Sequence, residues 1–391
     1  MLELAIIPVL TGAAALYLGM KNNDKDEKTI QKVFKNLKVG AYEKNEFSYP
    51  KLIATEKKHD RTRYVYRVPL GLTKKTLEPV KEVLEATLDR YVEVTFKKWL
   101  YIEIFHNEIP KKVAYSSAPH EKGWVVPLGC NERGWHFHDF DKTPHCVIGG
   151  TTRFGKTVML KNIMTYLIEH HPDDVEFVIL DMKGGLEFEK YRNIKQVINV
   201  ASSPAEAFQC LDSIKTLLEQ KMTEFKRNGW ANVVNSPYPK RTFLFVDEAA
   251  QLVPERFMPK ETRDMLSYCQ SVLSEIARIG GALGFRLVFC TQYPTADALP
   301  RQIKQNADLK ISFRLPTSYA SSVVIDEHGA EELPSDIRGR AIIKTHEKMI
   351  VQTPLIDDDE MMKRLEVYRV EKVVERREVD RKTTEDTVHF E

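Results

Sequence analysis

The chain has 391 residues, which is long enough for two domains and a large hydrophobic core. Its 58 lysines and arginines nearly balance 56 aspartates and glutamates, so no overall basic field indicates a nucleic-acid partner, and any DNA contact must come from a local stripe on an assembled surface. The five cysteines are scattered without a C-x-x-C pair or a metal-binding spacing, which fits free thiols in a reducing cytoplasm.

The first apolar stretch, LAIIPVLTGAAALYLGM, is uncharged and runs from Leu4 to Met20, the lower limit of length for crossing a bilayer. A row of lysines follows it, and by the positive-inside rule this basic flank places the rest of the chain in the cytoplasm. A cleaved signal peptide would carry its positive charge before the apolar run, which this sequence does not. We therefore predict that residues 1–20 form a single-pass transmembrane anchor in the cell membrane. The alternatives are a buried or interfacial helix, or a helix–helix contact in an assembly.

Four further segments follow the predicted anchor. Residues 21–41 are typical of a charged linker or juxtamembrane helix. Residues 42–139 mix strand-like and helix-like patterns, including RYVYRVPLGL and YVEVTFKKWLYIEIF, and predict a small α+β domain without a catalytic constellation. Residues 140–354 carry the nucleotide motifs. The highly charged tail, residues 355–391, predicts a helix followed by disorder.

Strand and helix patterns alternate through residues 140–354. The predicted strands are FVILD, QVINVA, TFLFVDE, RLVFCTQ, LKISFRL and GRAIIK. The predicted helices include a long one from Pro204 to about Arg227 and another from about Thr262 to Ile279. Such alternation predicts an α/β fold whose mostly parallel sheet is covered by helices on both faces.

A G-x-x-x-x-G-K-T pattern, the P-loop or Walker A motif, spans Gly150 to Thr157. The apolar strand-like run from His145 to Ile148 precedes it, and a helical pattern follows it, which is the context that a phosphate-binding loop requires. Lys156 is expected to reach the β- and γ-phosphates of ATP, and the Thr157 hydroxyl to hold Mg²⁺. The alternative is a glycine turn that binds nothing. The predicted nucleotide-binding residues are Gly150, Thr151, Thr152, Arg153, Phe154, Gly155, Lys156 and Thr157.

A second apolar strand-like run ends in two carboxylates, Asp247 and Glu248, which is typical of a Walker B motif. In P-loop enzymes such an aspartate lies beside Mg²⁺ and the following glutamate orients the attacking water. An ordinary helix cap is the alternative. A carboxylate beside the water suits ATP hydrolysis, whereas a small-molecule kinase needs an acceptor pocket. We therefore predict an ATPase, with Glu248 and Lys156 as catalytic residues and Asp247 beside the metal.

Three segments around these motifs resemble the FtsK/SpoIIIE class of DNA-pumping ATPases: EIARIGGALGFRLVFCTQYP, LKISFRLPTSYASSVVIDEHGAEEL and LDMKGG. The approach PLGCNERGWHFHDFDKTPHCVIGGTTRFGKT resembles versions from conjugative plasmids and integrative elements, where the protein couples DNA to a transfer channel. The resemblance covers roughly residues 126–353. It implies a RecA-like motor domain, assembled as a homo-hexameric ring around double-stranded DNA, with ATP at the subunit interfaces.

The resemblance also implies roles for two strand ends. Gln292 would sense the γ-phosphate and report hydrolysis to neighbouring loops, and it is counted with the catalytic residues; a turn hydrogen bond is the alternative. Asp181 would either support the metal site or cap the turn at Lys183–Gly185.

One departure from the family concerns the contact between subunits. Family members often carry an arginine pair where this chain has Gln220 and Lys221, and arginine there can reach a neighbouring subunit's ATP. Lysine lacks the planar bidentate contact, so either Lys221 suffices or another cation takes the role. The candidates are Arg227, Arg278 and Arg314. The tail after Pro354 has no room for the orientation-reading winged helix of chromosome-segregating members, so direction would come from a partner such as a relaxase.

Three cations after the Gln292 strand are the predicted DNA contacts: Arg301, Lys304 and Lys310. A solvated charged face is the alternative. The function predicted from the resemblance is ATP-driven translocation of double-stranded DNA by a membrane-anchored hexamer, acting as a conjugation coupling protein with a relaxase and transfer-channel subunits. The alternatives are a chromosome or plasmid segregation pump, a type VII-like protein-secretion ATPase, and a P-loop scaffold without motor activity.

Overall fold

The computed structural model describes residues 24–43 and 46–370. The predicted anchor, residues 1–20, and the predicted disorder at the end of the charged tail lie outside the described residues. Within the described ranges, no helix has the length and apolar character needed to cross a membrane.

A four-stranded antiparallel sheet follows the first helix. Its strand order is β3-β4-β6-β5, and the short hairpin β1-β2 precedes it. Alternate residues such as Tyr64, Tyr66 and Ile102 are buried against the helices, because successive side chains of a strand point to opposite faces. The elements are α1 (Asp24–Asn36), β1 (Ala41–Glu43), β2 (Glu46–Ser48), β3 (Lys51–Lys57), β4 (Arg61–Arg67), α2 (Lys74–Leu88), β5 (Val92–Phe96) and β6 (Leu100–Phe105).

The rest of the described chain builds a second, larger sheet and the helices on its faces. The strands are β7 (Val113–Ala114), β8 (Val125–Asn131), β9 (Gly134–Asp139), β10 (Cys146–Gly149), β11 (Val175–Leu180), β12 (Val197–Ala201), β13 (Arg241–Val246), β14 (Phe285–Thr291), β15 (Leu309–Phe313), β16 (Arg340–Lys344), β17 (Lys348–Gln352) and β18 (Pro354–Leu355). The helices are α3 (Lys156–His170), α4 (Pro204–Asn228), α5 (Lys260–Ile279), α6 (Arg301–Asn306), α7 (Ser318–Ile325) and α8 (Asp358–Leu365).

Ten of these strands form one sheet in the described residues, in the order β12-β11-β13-β14-β10-β15-β16-β17-β8-β9. The first six strands in this order, from the edge strand β12 through β11, β13, β14 and β10 to β15, run parallel to one another, as the alternating pattern predicts. The remaining four, β16, β17, β8 and β9, are antiparallel, so the sheet is mixed rather than mostly parallel. The hairpin β8-β9 was predicted within the small α+β domain, but it pairs with β17 in the large sheet. The short strand β7 comes just before this hairpin in the chain, but it pairs with β18 to form a separate two-stranded sheet.

Helices cover both faces of the parallel strands. Every residue of β13 and β14 is buried, because each face of these strands packs against a hydrophobic layer. One layer joins the sheet to α4, α5 and α7, and the other joins it to α3 and α8. The predicted long helix is observed as α4, with Ser203 as its N-cap and Gly229, at φ 70°, ending it. The carboxyl ends of β10, β11, β13 and β14 meet at one edge of the sheet, where a ligand is expected.

Candidate nucleotide site

The P-loop connects the end of β10 to the start of α3. Gly155 has φ 121°, a conformation that glycine adopts without strain. A Cβ on Gly155 would lie 2.9 Å from the Phe313 ring, and one on Gly150 would lie 2.7 Å from the Phe313 Cβ, so both positions require glycine. The Thr151 hydroxyl donates to the Arg314 carbonyl at 3.1 Å. The P-loop therefore packs against the end of β15.

The predicted metal-site carboxylate Asp247 and the predicted catalytic carboxylate Glu248 are both buried at the end of β13. Lys156 Nζ lies 2.9 Å from Asp247 Oδ1, and it also contacts the main-chain oxygen of Asp247. Lys183 Nζ lies 3.0 Å from the other carboxylate oxygen, Oδ2. Burial opposes ionisation of Asp247, but the charges of Lys156 and Lys183 outweigh it and hold the pKa of Asp247 below its usual value. Burial likewise opposes the charge of Lys156, and the neighbouring Asp247 outweighs burial and raises its pKa.

Gln292 joins Glu248 to the P-loop. Its main-chain N–H donates to the Glu248 carboxylate at 3.2 Å, and the Thr291 hydroxyl donates to the same carboxylate at 3.2 Å. The Gln292 side-chain oxygen accepts a hydrogen bond from the Thr152 hydroxyl at 3.0 Å. The structure thus brings the predicted catalytic glutamate, the predicted sensor and the phosphate loop into one hydrogen-bonded chain.

A cavity of about 710 Å³ lies over the P-loop. Lys156, Lys183 and Gln292 line it, while their partners Asp247 and Glu248 are buried behind them. A second wall of the cavity comes from three segments that no sequence motif identified. These segments supply Lys111 and Lys112; Asp336, Ile337, Arg338 and Gly339; and Gln352, Thr353, Pro354 and Leu355.

Gly339 is the residue of this second wall whose type is dictated by its local structure. It has φ 80°, and its N–H donates to the Phe154 carbonyl of the P-loop at 3.0 Å. A Cβ at Gly339 would lie 2.7 Å from the Gln352 amide nitrogen. A glycine far along the chain therefore allows the second wall to approach the phosphate loop, but glycine alone does not reveal that role from sequence.

The residues of the cavity fit a nucleoside triphosphate with Mg²⁺. The P-loop forms a cradle that a Cβ would fill, and Lys156 supplies positive charge at its base. Within the described ranges, no cluster of three or more histidine, cysteine or acidic side chains forms a metal cage. Mg²⁺ typically binds through one or two protein oxygens together with phosphates and water, which the Thr157 hydroxyl and Asp247 can provide. The bound metal would neutralise phosphate charge.

Asp181 caps the loop that follows β11. Its carboxylate accepts hydrogen bonds from the main-chain N–H groups of Glu187 and Phe188, each at 2.9 Å. The N–H of Lys183 lies 3.4 Å from the other carboxylate oxygen. Of the two roles considered for Asp181, the contacts support the cap.

Lys221 cannot be the cation that reaches a neighbouring subunit, so that option for the intersubunit contact is wrong. Its ammonium lies between the rings of Tyr238 and Phe285, 4.7 and 4.6 Å from their centroids. Burial lowers the pKa of Lys221 to about 8. Arg314 is also engaged within the subunit, because it donates to the Leu333 carbonyl. Arg227 and Arg278 are exposed.

Two of the three predicted DNA contacts are paired inside the subunit. Lys304 Nζ lies 2.6 Å from one oxygen of Asp326, and Lys310 Nζ lies 3.1 Å from the other. A single carboxylate thus holds both ammonium groups inside the subunit. Arg301, at the start of α6, is exposed and stays the strongest of the three predictions.

A sequence model described as the FtsK/SpoIIIE family matches residues 120–327. The DNA translocase FtsK of Helicobacter pylori strain J99 is 28% identical over 291 residues, covering 70% of this chain and 32% of that protein. The DNA translocase FtsK of Streptococcus pneumoniae strain R6 is 27% identical over 246 residues, covering 60% of this chain and 32% of that protein. The chain thus spans about a third of the length of these relatives.

Solved structures share the fold. The pCW3 conjugation coupling protein TcpA, in its monomer form with ATPγS, superposes with a TM-score of 0.62 at 24% identity, covering 88% of this chain and 99% of that one. The cytoplasmic domain of the type VII secretion ATPase EccC of Thermomonospora curvata superposes with a TM-score of 0.53 at 19% identity, covering 67% of this chain and 33% of that one. Together with the family match, these comparisons support an ATPase with a P-loop α/β fold.

Proposed function

The chain belongs to the FtsK/SpoIIIE family, and on that premise we propose that it is an ATP-driven translocase of double-stranded DNA that serves as a conjugation coupling protein. One observation carries the motor part of this proposal: Glu248 is hydrogen-bonded to Gln292, and Gln292 to Thr152 of the P-loop. A change at the phosphates can therefore reach the strand end after β14 through two hydrogen bonds. The loop beyond Gln292 leads to α6 and Arg301, the exposed candidate for contact with DNA.

Within this proposal, the chain's own residues divide the work of hydrolysis. Lys156 and the P-loop N–H groups bind the phosphates, while Thr157 and Asp247 hold Mg²⁺. Glu248 accepts a proton from the attacking water, and its hydrogen bonds to Thr291 and Gln292 fix the direction of its carboxylate.

The proposed assembly is a homo-hexameric ring. In such a ring a cation from one subunit can complete the site of the next, as an arginine finger does in other P-loop enzymes. Among the cations considered for this contact, Arg227 and Arg278 are exposed and free to reach outward. A relaxase and transfer-channel subunits are the further partners that we propose.

Conjugation is favoured over the alternatives by the extent of the shared fold. The superposition on the coupling protein TcpA covers nearly all of both chains, whereas the match to EccC covers a third of that protein. A segregation pump uses the same motor and is distinguished by its partners. A protein-secretion ATPase moves polypeptide and would not respond to DNA.

The proposal also places the protein at the cell membrane. Residues 1–20 would anchor it as a single span, and residues 140–354 would form the cytoplasmic motor, preceded by the small α+β domain. Full-length protein is expected in the membrane fraction, and a variant without residues 1–20 in the soluble fraction. Full-length protein that is soluble without detergent would contradict the anchor.

The test of function is the ATPase rate of the assembled full-length protein with long duplex DNA, at low and moderate salt. Contacts to the phosphate backbone carry little sequence information, so unrelated duplexes should stimulate hydrolysis to about the same extent. Because such contacts depend on counterion release, the DNA concentration needed should rise with salt. No stimulation by DNA at either salt, together with stimulation by the signal peptide of a secreted protein, would favour protein export.

A further inference from the structure

The ammonium group of Lys183 contacts one carboxylate oxygen of Asp247, the predicted metal-site residue. Asp247 is fully buried, with Lys156 at Oδ1 and Lys183 at Oδ2, at 2.9 and 3.0 Å. One negative charge thus faces two positive charges. Both carboxylate oxygens of Asp247 therefore lie within ion-pair distance of an ammonium group. A metal ion at Asp247 would repel both ammonium groups and compete with them for these oxygens.

The loop that carries Lys183 is tied to the end of β11, while the side chain of Lys183 faces the cavity. Asp181 accepts hydrogen bonds from the N–H groups of Glu187 and Phe188 and so holds this loop. The Lys183 side chain is 27% exposed and lines the cavity, whereas that of Lys156 is 3% exposed. Lysine carries its charge on a flexible four-carbon stem, so a new contact needs only side-chain rotation.

The strand order gives the direction from which Lys183 approaches. Its loop follows β11, which lies beside β13 on the side away from the P-loop strand β10. Lys156 therefore reaches Asp247 from the P-loop side, and Lys183 reaches it from the opposite side. The part of a triphosphate nearest to Asp247 and Glu248 is its terminal phosphate, since Glu248 must direct water at that group. The terminal phosphate is therefore the phosphate within reach of Lys183.

Lys161, another lysine that lines the cavity, provides a contrast. Its ammonium lies 3.2 Å from Glu187 and 2.7 Å from Asp358, and neither carboxylate belongs to the predicted metal site. A metal ion at Asp247 would not displace it. Lys183 differs because its acidic partner is the residue that the metal ion requires.

We propose that Lys183 is a phosphate-binding residue that pairs with Asp247 in the nucleotide-free protein and transfers its contact to the terminal phosphate when Mg²⁺–ATP binds. This inference rests on the proposed ATPase function. It assigns to the Lys183–Gly184–Gly185 turn a role in distinguishing ATP from ADP, because ADP lacks the phosphate that Lys183 would contact. The left-handed conformations of Gly184 and Gly185, at φ 77° and 76°, turn the chain directly after the lysine.

The experiment compares the affinity of the full-length protein for ATPγS and for ADP, both with Mg²⁺, by equilibrium titration. Lys183→Met keeps the length of the side chain and removes its charge. It should weaken ATPγS binding without weakening ADP binding, so that the preference for ATPγS over ADP falls by roughly tenfold or more, the usual effect of removing a hydrogen bond between charged groups. Lys183→Arg keeps a cation and should recover part of the affinity for ATPγS.

Lys195→Met is the matched control, because Lys195 pairs with the exposed Asp173 at 3.1 Å and lies outside the cavity lining. It should leave both affinities unchanged. Thermal unfolding of each variant without nucleotide checks that it is folded. An unchanged preference for ATPγS over ADP, whether Lys183→Met leaves both affinities as they are or changes them by the same factor, would show that Lys183 does not contact the terminal phosphate and would overturn the inference alone. A parent protein that binds neither nucleotide would overturn the proposed function as well.

Discussion

At the scale of single residues, the hydrolysis site is organised by pairs that cross between strand ends. Lys156 of α3 contacts Asp247 of the β13 end, and Gln292 of the β14 end contacts both Glu248 and Thr152. The first contact joins the helix after the P-loop to the predicted metal-site carboxylate, and Gln292 joins the P-loop to the carboxylate that is proposed to activate water. Removing different members of these pairs should therefore have different effects on binding and on turnover.

Two substitutions separate nucleotide binding from turnover. Lys156→Ala removes the charge that neutralises the phosphates, so binding of Mg²⁺–ATPγS should be abolished. Glu248→Gln keeps an oxygen that can accept from the Gln292 N–H, so the site should stay folded and binding should persist. Its turnover should fall by about 10²- to 10⁴-fold, because an amide cannot act as a base.

Nucleotide titration and steady-state ATPase rates, measured on the same preparations, check both expectations. Hydrolysis by Glu248→Gln at the parent rate would mean that another group activates the water. Retained nucleotide binding by Lys156→Ala would mean that the remaining cavity cations hold the phosphates without it.

Residues whose predicted positions follow from a short sequence motif could be located from the sequence. Residues whose contacts are with parts of the chain distant in sequence could not. The glycines of the P-loop and the carboxylates after β13 are found where their motifs put them, because a strand, a turn and a helix are specified within a few residues. The sequence predicts a glycine turn that includes Lys183. The contact of Lys183 with Asp247, however, joins the ends of two different strands, β11 and β13. No spacing along the chain encodes such a pair.

At the scale of elements, the parallel strands were predictable because burial on both faces makes them continuous apolar runs. The helix α4 was predictable because a Ser-Pro start and a glycine end bracket its apolar periodicity. The sheet to which β8 and β9 belong was not predictable. Their hairpin pairs with β17, through Cys130 and Gln352, and a contact so distant along the chain leaves no local pattern.

The second wall of the cavity likewise could not be predicted from the sequence. It forms because β7 pairs with β18, which brings Lys111 and Lys112 beside Pro354 and Leu355 over the P-loop. The segment that leaves the small sheet therefore lines the cavity next to the motor strands. A nucleotide in this cavity would contact the segment that joins the small sheet to the large one.

At the scale of the whole molecule, the proposed contact with DNA would depend on a few cations, because the net charge of the chain is only +2. Four lysines beside Asp326 and Glu327 are paired with these two carboxylates of the same subunit. Glu327 contacts Lys344 and lies 3.6 Å from Lys348, and Asp326 contacts Lys304 and Lys310. Exposed cations such as Arg301 are left to contact phosphates, and a ring of identical subunits would repeat each of them.

The structure therefore distinguishes Arg301 from Lys304, although both were predicted to contact DNA. Arg301→Ala should weaken binding to any duplex and reduce the slope of log affinity against log salt by about 0.9 for each phosphate that the protein no longer neutralises. Lys304→Ala removes an ammonium that already lies 2.6 Å from Asp326 and 2.9 Å from the Ser322 carbonyl, so it should leave the slope unchanged. The measurement is duplex binding by the assembled protein over a series of salt concentrations, with ATPγS affinity as the check that the nucleotide site is intact. Equal reductions of the slope by both substitutions would mean that the Lys304–Asp326 pair opens on DNA, and no reduction by Arg301→Ala would place the DNA contact on another surface.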